Sequence, residues 1–162
     1  MNKAYLLTGG NVGNRKEYLE IAARHIETDA GKIMKRSALY ETAAWGKTNQ
    51  AAFLNQALEL YTALDAAELM IQLLAIEERM GRKRLEKYGA RIIDIDILLF
   101  NHAIIQTPVI TLPHPELLNR RFALVPLNEI AADYIHPVAK KNIQQLLEIC
   151  PDPLPVKKFS GL

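Results

Sequence analysis

The alternation of hydrophobic and polar residues predicts a strand followed by a helix at the start of the chain. The short apolar run from Lys3 to Thr8 is typical of a buried strand, and three glycines follow it within five residues. Asn14 is a candidate N-cap for the next helix, with Glu17 as its capping partner. Four apolar residues at helical spacing give this helix a buried face: Leu19, Ala22, Ala23 and Ile26.

Two more strands and a second helix are predicted in the middle of the chain. The strands cover Lys32 to Tyr40 and Phe53 to Leu64, and Glu41 to Ala52 forms the loop between them. Asp65 and Glu68 have the spacing of a capping box, and apolar residues at helical spacing follow them. This helix leads the chain into a strongly basic segment.

The second half of the chain is predicted to contain two strands and two closing helices. Arg91 to Phe100 has the branched, apolar character of a central strand, and Ala103 to Ile105 forms a short one. The helices cover Phe122 to Ala131 and Asn142 to Cys150. The tail, residues 151–162, contains three prolines and is expected to be loosely attached.

The order of these elements predicts the fold class. Strands and helices are mixed without a strict βαβ alternation, which favours an α+β domain. We therefore expect a single-domain, ferredoxin-like α/β sandwich over residues 1–162, with a largely antiparallel sheet flanked by helices.

Composition agrees with a globular domain. Apolar residues make up 49% of the 162 residues and charged residues 23%, which is neither a disordered nor a membrane composition. No apolar run has the length of a membrane span or of a signal peptide, so a cytoplasmic location without membrane contact is expected. Cys150 is the only cysteine, which excludes an intrachain disulfide and a thiolate metal cluster.

The charge is small overall but unevenly distributed. A formal net charge of +2 does not predict a general nucleic-acid binder, yet six basic residues lie between Arg79 and Arg91. A compact nucleic-acid-binding module that uses this loop is therefore one hypothesis. The two acidic residues that follow the loop argue against it, because they would repel a phosphate backbone in the absence of metal.

A pair of aspartates follows the basic loop. Asp94 and Asp96 are two residues apart on a predicted strand, so their side chains leave the same face. Two close carboxylates repel each other unless a cation or proton offsets their charge, and Mg²⁺ suits such a pair. A solvated strand face is the alternative for the aspartates. For the neighbouring Arg82, Arg84 and Arg91 the alternatives are a solvated basic loop or simple pairing with the two aspartates. Because guanidinium groups can bind phosphate bidentately, we favour a metal-polyphosphate site.

The glycines after the first strand suggest a dinucleotide site only weakly. In the segment from Thr8 to Gly13, Thr8 occupies the position of the first glycine of the dinucleotide fingerprint. A dinucleotide-binding oxidoreductase is therefore a third hypothesis, and a tight strand-to-helix turn is the favoured interpretation. No P-loop motif occurs in the sequence.

The remaining candidate residues lie in loops and beside aromatic rings. Thr111, His114 and Arg120 are all able to contact phosphate or ribose. Phe53 and Phe122 are able to form a flat apolar slot for a heterocycle, although such rings more often belong to a core. An asparagine amide at position 55 would read the edge of that heterocycle.

Five segments, in the same order, resemble the 6-hydroxymethyl-7,8-dihydropterin pyrophosphokinase family of the folate pathway. The resemblance runs from about residue 4 to about residue 137, and the motif Gly-Ala-Arg-x-x-Asp-Ile-Asp is highly specific. The five segments are Tyr5 to Gly13, Tyr40 to Gly46, Phe53 to Asn55, Arg82 to Asp96 and Pro113 to Leu127.

The resemblance implies an ATP-dependent diphosphotransferase. Members transfer the β,γ-diphosphate of ATP to the hydroxymethyl oxygen of the pterin and release AMP. Asp94 and Asp96 match the ligands of two Mg²⁺ ions, and Arg82 and Arg91 match the arginines that close over the phosphates. These four residues form the catalytic set that the resemblance implies.

The resemblance also assigns binding residues and partners. It implies a cytoplasmic monomer whose partners are ATP and the pterin, with no nucleic acid and no membrane. The residues that match pterin-binding positions are Thr42, Trp45, Phe53, Asn55 and Phe122. The residues that match ATP-binding positions are Glu77, Arg82, Arg84, Arg91, Ile97, Thr111, His114 and Arg120.

Overall fold

The computed structural model describes residues 1–43, 51–81 and 91–161. Within these ranges the strands are β1 (Asn2–Gly10), β2 (Lys32–Arg36), β3 (Tyr40–Thr42), β4 (Phe53–Thr62), β5 (Asp94–Phe100), β6 (Ile105–Gln106), β7 (Thr111–Leu112) and β8 (Val156–Lys158). The helices are α1 (Arg15–Asp29), α2 (Ala66–Arg79), α3 (Arg121–Ala131) and α4 (Ile143–Glu148), with a short 3₁₀ helix at Leu117–Asn119.

The main sheet is antiparallel throughout its described pairings. Its strand order is β5-β1-β4-β3-β8, and β2 pairs with β4 beside β3. A separate hairpin joins β6 to β7. The predicted α+β class with a largely antiparallel sheet is confirmed.

Both faces of the main sheet are covered by helices, and β1 shows why. Leu6 packs into a core with residues of α1 and α2, whereas Tyr5 and Leu7 pack into a second core with residues of α3 and α4. Successive side chains of a strand point to opposite faces, so an apolar run feeds both cores. The continuous apolar sequence of β1 therefore follows from its burial on two sides.

Two predicted helix starts are confirmed. The Asn14 side chain accepts a hydrogen bond from the backbone N–H of Glu17, at 3.1 Å. Asp65 and Glu68 form the predicted capping box, in which each side chain accepts a hydrogen bond from the other residue's backbone N–H. Each cap satisfies N–H groups that the first helical turn leaves without partners, which stabilises the helix by about 1 kcal/mol.

The strand predicted over Lys32 to Tyr40 is divided into β2 and β3. Between them, the Ser37 hydroxyl oxygen accepts the Ala57 N–H at 2.9 Å, and the Ser37 N–H donates to the Ala57 carbonyl at 2.9 Å. A side-chain oxygen thus replaces a backbone carbonyl in the ladder, which interrupts the strand without moving it away from β4.

The prediction of a central strand over Arg91 to Phe100 is wrong. The strand begins at Asp94 and lies at an edge of the main sheet, paired with β1. Its apolar character has another cause: its faces belong to the two cores, and other groups cover its outer edge. The His114 N–H donates to the Leu98 carbonyl at 2.9 Å, and the Glu77 carboxylate accepts the Ile95 N–H at 2.6 Å.

The tail is attached at several points, whereas the sequence suggested loose attachment. β8 pairs with β3, and the Asp152 carboxylate accepts the backbone N–H of Arg121 at 3.1 Å. The Arg121 side chain donates back to the Asp152 carbonyl at 2.9 Å.

In the described part of the chain, no helix combines the length and the apolar character that crossing a bilayer requires.

Candidate functional site

One predicted metal residue and one predicted pterin residue lie on either side of the end of β1. Gly9 is paired with Asn55 of β4 on one side and with Asp94 of β5 on the other. Paired residues of antiparallel strands point to the same face, so the amide and the carboxylate share one face. Two strand spacings separate their backbones by about 10 Å.

Glycine at position 9 is required by the side chain of Asn55. A Cβ atom on Gly9 would lie 2.1 Å from Asn55 Oδ1, far inside van der Waals contact. Asn55 itself is only 5% exposed. The absence of a side chain on β1 therefore makes room for the amide that the sequence assigns to the pterin.

The two aspartates leave the same face of β5, as predicted. Asp94 is opposite Gly9 and Asp96 is opposite Leu7, which belongs to the second core. Ile95 and Ile97 point the other way, into the first core. Both aspartates are half-buried, and Arg91 Nη1 lies 3.2 Å from Asp94 Oδ2.

The described residues suit Mg²⁺ only if a substrate completes its coordination. They contain no group of three or more histidine, cysteine, aspartate or glutamate side chains placed to hold a metal ion. Mg²⁺ commonly takes one or two carboxylates and completes its octahedron with water and phosphate oxygens. The pair Asp94 and Asp96 fits that type of site and not an all-protein cage.

Glu77 contacts β5 from the face of the sheet opposite to the two aspartates. Its side chain lies on α2, is only 4% exposed, and accepts the Ile95 N–H at 2.6 Å. The strand thereby donates a hydrogen bond from its outer edge, at the residue between the two aspartates. Glu77 is therefore bound to the backbone of β5, the strand that carries the two predicted metal ligands.

His114 is close enough to Asp94 to interact with its charge, and its ring has a defined tautomer. Its Nδ1 accepts the Glu116 N–H at 3.1 Å, so in the neutral ring Nε2 carries the proton. Burial, together with the positive charge of Arg120, lowers the pKa of His114 to about 4, although Glu116 and Asp94 oppose the shift. Near pH 7 the ring is therefore a neutral hydrogen-bond donor through Nε2.

Three of the predicted pterin residues, Phe53, Asn55 and Phe122, lie on the same side of the sheet. Phe53 and Asn55 are two residues apart on β4, so their side chains share a face. Phe122, at the start of α3, packs against the second core, which covers that face. The Arg120 guanidinium lies over the Phe122 ring, 5.6 Å from its centre. The Phe122 ring and the Arg120 guanidinium therefore lie together, on the side of the sheet to which the Phe53 and Asn55 side chains point.

Three of the remaining predicted residues have side chains that are buried elsewhere or exposed, and of these the sequence indicated only that Ile97 points away from the aspartates. Thr42 pairs with Phe53 and is buried, and its hydroxyl donates to the Pro155 carbonyl at 3.0 Å. The Ile97 side chain points into the first core, away from the aspartates. Thr111 is exposed on β7. Three further predicted residues lie outside the described residues: Trp45, Arg82 and Arg84.

Asn11 is a site residue that the sequence analysis did not assign. Its Oδ1 accepts the Arg91 N–H at 2.9 Å, and its Nδ2 donates to the Ala51 carbonyl at 3.0 Å. A polar residue in a glycine-rich turn was the available signal, but its partners are distant in sequence.

Gly9 and Gly10 lie within an antiparallel strand. This contradicts the dinucleotide-binding hypothesis, because the dinucleotide-binding motif begins a parallel βαβ unit.

Sequence comparison finds one protein family. The model of the 7,8-dihydro-6-hydroxymethylpterin-pyrophosphokinase family matches residues 5–132. A 2-amino-4-hydroxy-6-hydroxymethyldihydropteridine pyrophosphokinase of Aquifex aeolicus (strain VF5) is 41% identical over 145 residues, 90% of this chain and 90% of the relative. The protein of the same name from Bacillus subtilis (strain 168) is 42% identical over 130 residues, 80% of this chain and 78% of the relative.

Structural comparison finds the same fold in a longer protein. The crystal structure of Plasmodium falciparum HPPK-DHPS wild type with SDX-DHP superposes with a TM-score of 0.75 at 20% sequence identity. The match covers 91% of this chain but 43% of that one, so this chain spans less than half of the length of that protein. At 20% sequence identity, this superposition shows that the two proteins share a fold.

Proposed function

The chain belongs to the 7,8-dihydro-6-hydroxymethylpterin-pyrophosphokinase family, and on this premise we propose that it catalyses Mg²⁺-dependent diphosphate transfer from ATP to 6-hydroxymethyl-7,8-dihydropterin. The family consists of diphosphotransferases of folate biosynthesis. Beyond family membership, the proposal specifies which bond is broken, which nucleotide is released, which metal is required and which residues bind or catalyse.

The proposed reaction occurs at the β-phosphorus of ATP. The hydroxymethyl oxygen of the pterin attacks this phosphorus, and the bond from the β-phosphorus to the oxygen bridging the α- and β-phosphates breaks. AMP leaves with that oxygen, the hydroxyl proton is released, and the β- and γ-phosphates end on the pterin. No electrons are transferred, so no redox cofactor is required.

The pairing of Gly9 with both Asn55 and Asp94 carries the proposal. It sets an amide that suits a heterocycle edge and a carboxylate that suits a metal-bound phosphate on one face, about 10 Å apart at the backbone. At that separation the amide and the carboxylate can contact different parts of the two bound substrates. Transfer between two bound substrates depends chiefly on such alignment.

Asp94 and Asp96 would hold the Mg²⁺ ions, two per ATP in our proposal. When bound, the metal neutralises phosphate charge and lowers the pKa of the attacking hydroxyl. This accounts for a site in which the described residues offer no evident general base.

We propose separate roles at the triphosphate for the arginine side chains and for the neutral histidine. Arg91, tethered 3.2 Å from Asp94, would stabilise charge that develops on the phosphates. Arg120 would bind phosphate oxygens. His114, neutral near pH 7, would donate through Nε2 without adding charge. Arg82 and Arg84 are proposed to act on the phosphates from the family motif alone.

The pterin would lie between the rings of Phe53 and Phe122, with its edge read by Asn55. The apolar rings stabilise a flat heterocycle by stacking, and the buried amide offers one acceptor and two donor hydrogens. Thr42 and Trp45 are proposed from the family match to flank this slot. Ile97, whose side chain is buried, would contribute to the ATP site through its backbone.

All proposed catalytic and binding groups come from one copy of the chain, so we propose that it acts as a monomer. Its partners would be the two small-molecule substrates, with no nucleic acid and no membrane, and its location cytoplasmic.

Product analysis tests the proposal directly. The purified protein is incubated with Mg²⁺, ATP and the pterin, and nucleotides are separated. We expect AMP and pterin diphosphate in equal amounts, and no turnover after chelation of the metal. ADP as the nucleotide product, or turnover that persists with excess chelator, would refute it.

A further inference from the structure

We propose that Asn11 is a positioning residue that fixes the pterin half of the site relative to the phosphate half. This inference rests on the proposed function. It concerns a side chain outside the predicted metal, ATP and pterin sets, in the turn between β1 and α1.

One Asn11 side chain connects two segments that are far apart in sequence. Its Nδ2 donates to the Ala51 carbonyl at 3.0 Å, and its Oδ1 accepts the Arg91 N–H at 2.9 Å. The Asn11 N–H also donates to the Arg91 carbonyl at 2.9 Å. Asn11 therefore holds the backbone of Arg91 at two points and that of Ala51 at a third.

Both partners lie directly beside the proposed substrate groups. Ala51 is two residues before Phe53 and four before Asn55, on the approach to β4. Arg91 is three residues before Asp94, and its guanidinium is bound to that carboxylate. A displacement at either end of the Asn11 amide is thus transmitted over a few residues to one half of the site.

The surroundings make this connection rigid. Asn11 is only 6% exposed, so its hydrogen bonds do not compete with bulk water. The preceding Gly10 packs against the same segment, because a Cβ atom there would lie 2.3 Å from the Ile92 carbonyl oxygen. Arg15, at the start of α1, donates to the Ala52 carbonyl at 3.0 Å and so holds the pterin side a second time.

This geometry predicts an effect on alignment more than on the binding of either substrate. Each half keeps its own contact residues when Asn11 is changed, so each dissociation constant should change little. The attack of a hydroxyl on phosphorus depends on the distance between the halves, and a misplacement of about 1 Å costs roughly 10²-fold in rate.

The test compares Asn11→Asp with Asn14→Ala. Asn11→Asp preserves shape and the acceptor for Arg91 but replaces the donor to Ala51 by an oxygen. Asn14→Ala removes a capping hydrogen bond from the same turn and serves as the structural control. We expect kcat to fall about 10- to 100-fold in Asn11→Asp, with substrate dissociation constants within about threefold of wild type, and kcat to be unchanged in Asn14→Ala.

Three outcomes would overturn the inference: an unchanged kcat in Asn11→Asp, an equal loss of kcat in both variants at matched melting temperature, or a rise in one dissociation constant that accounts for the whole effect. If Asn11→Asp does not fold, Asn11→Ser, whose short hydroxyl cannot bridge both partners, is measured by the same criteria. Failure of the wild-type protein to form AMP would instead refute the proposed function.

Discussion

The Glu77 carboxylate accepts the backbone N–H of Ile95 at 2.6 Å, between the two aspartates of the predicted metal site. A helix on one face of the sheet thus holds the outer edge of the strand that presents Asp94 and Asp96 on the other. An edge strand would otherwise offer this N–H to solvent or to another chain.

Removal of this hydrogen bond should destabilise the protein. Glu77→Ala leaves the buried Ile95 N–H without its acceptor, which we expect to cost about 1–3 kcal/mol in the free energy of unfolding. Glu77→Gln retains an acceptor oxygen and should cost less. Urea denaturation measures both, with Glu78→Ala, an exposed residue on the same helix, as the control. Equal stability of Glu77→Ala and Glu78→Ala would contradict the structural role.

Loss of one predicted metal ligand should lower kcat strongly without unfolding the chain. Asp96 is half-buried beside a second carboxylate, so Asp96→Ala removes a repulsion within the fold. We expect kcat to fall by about 10²-fold or more, because metal stabilisation of the transferring group is lost. Activity and thermal unfolding are measured together, with the exposed Asp133→Ala as control. A protein that fails to fold would show that the acids are structural.

A methyl group at position 9 should disturb the pterin and not the nucleotide. In Gly9→Ala the new Cβ would overlap Asn55 Oδ1, so the amide must move. We expect the dissociation constant for the pterin to rise about 10-fold, equivalent to about 1.4 kcal/mol, while that for ATP stays close to wild type. Isothermal titration with each substrate measures both constants.

A double-mutant cycle identifies the cause of this effect. In an Asn55→Ala background the obstructing oxygen is absent, so Gly9→Ala should have a much smaller effect on pterin binding. The coupling between the two changes should fall within the range of about 0.5–3 kcal/mol found for contacting residues. Additive effects would mean that the methyl group acts on the site by another route.

Stability should decrease as the solution becomes acidic, in part through His136. Its Nδ1 accepts the N–H groups of Val138 and Ala139 at 3.2 and 3.0 Å, and burial lowers its pKa. The unfolded chain, with a histidine pKa of about 6.5, therefore binds this proton at a higher pH than the folded one. The contribution is complete above about pH 6.5 and is lost as the pH falls below it.

His136→Asn tests this dependence, because its amide oxygen can replace Nδ1 as an acceptor without titrating. The wild-type free energy of unfolding should fall by up to about 1.4 kcal/mol per pH unit more steeply than that of the variant below pH 6.5. His114, whose pKa is lowered to about 4, should contribute similarly down to that pH. Chemical denaturation from pH 7.5 to 4.5 measures the slopes, and parallel curves would exclude His136 as a contributor.

The local features of this protein follow from neighbouring residues alone. The Asn14 cap and the Asp65 and Glu68 capping box involve residues three apart, so their spacing was sufficient to predict them. The common face of Asp94 and Asp96 follows from the two-residue repeat of any strand. The family was recognisable from ordered motifs, because chemistry on a triphosphate limits which residues can be used and where.

The contacts between residues distant in sequence depend on the folded arrangement of the strands and helices. The edge position of β5, the partner of the Thr42 hydroxyl, and the contacts of Glu77 and Asn11 join residues between 18 and 113 positions apart. Their hydrogen bonds depend on strand order and register, which are set by the packing of two cores on opposite faces of one sheet. Local sequence patterns do not reveal that packing. A central strand and an edge strand whose faces and outer edge are covered have the same apolar pattern, so the pattern cannot distinguish them.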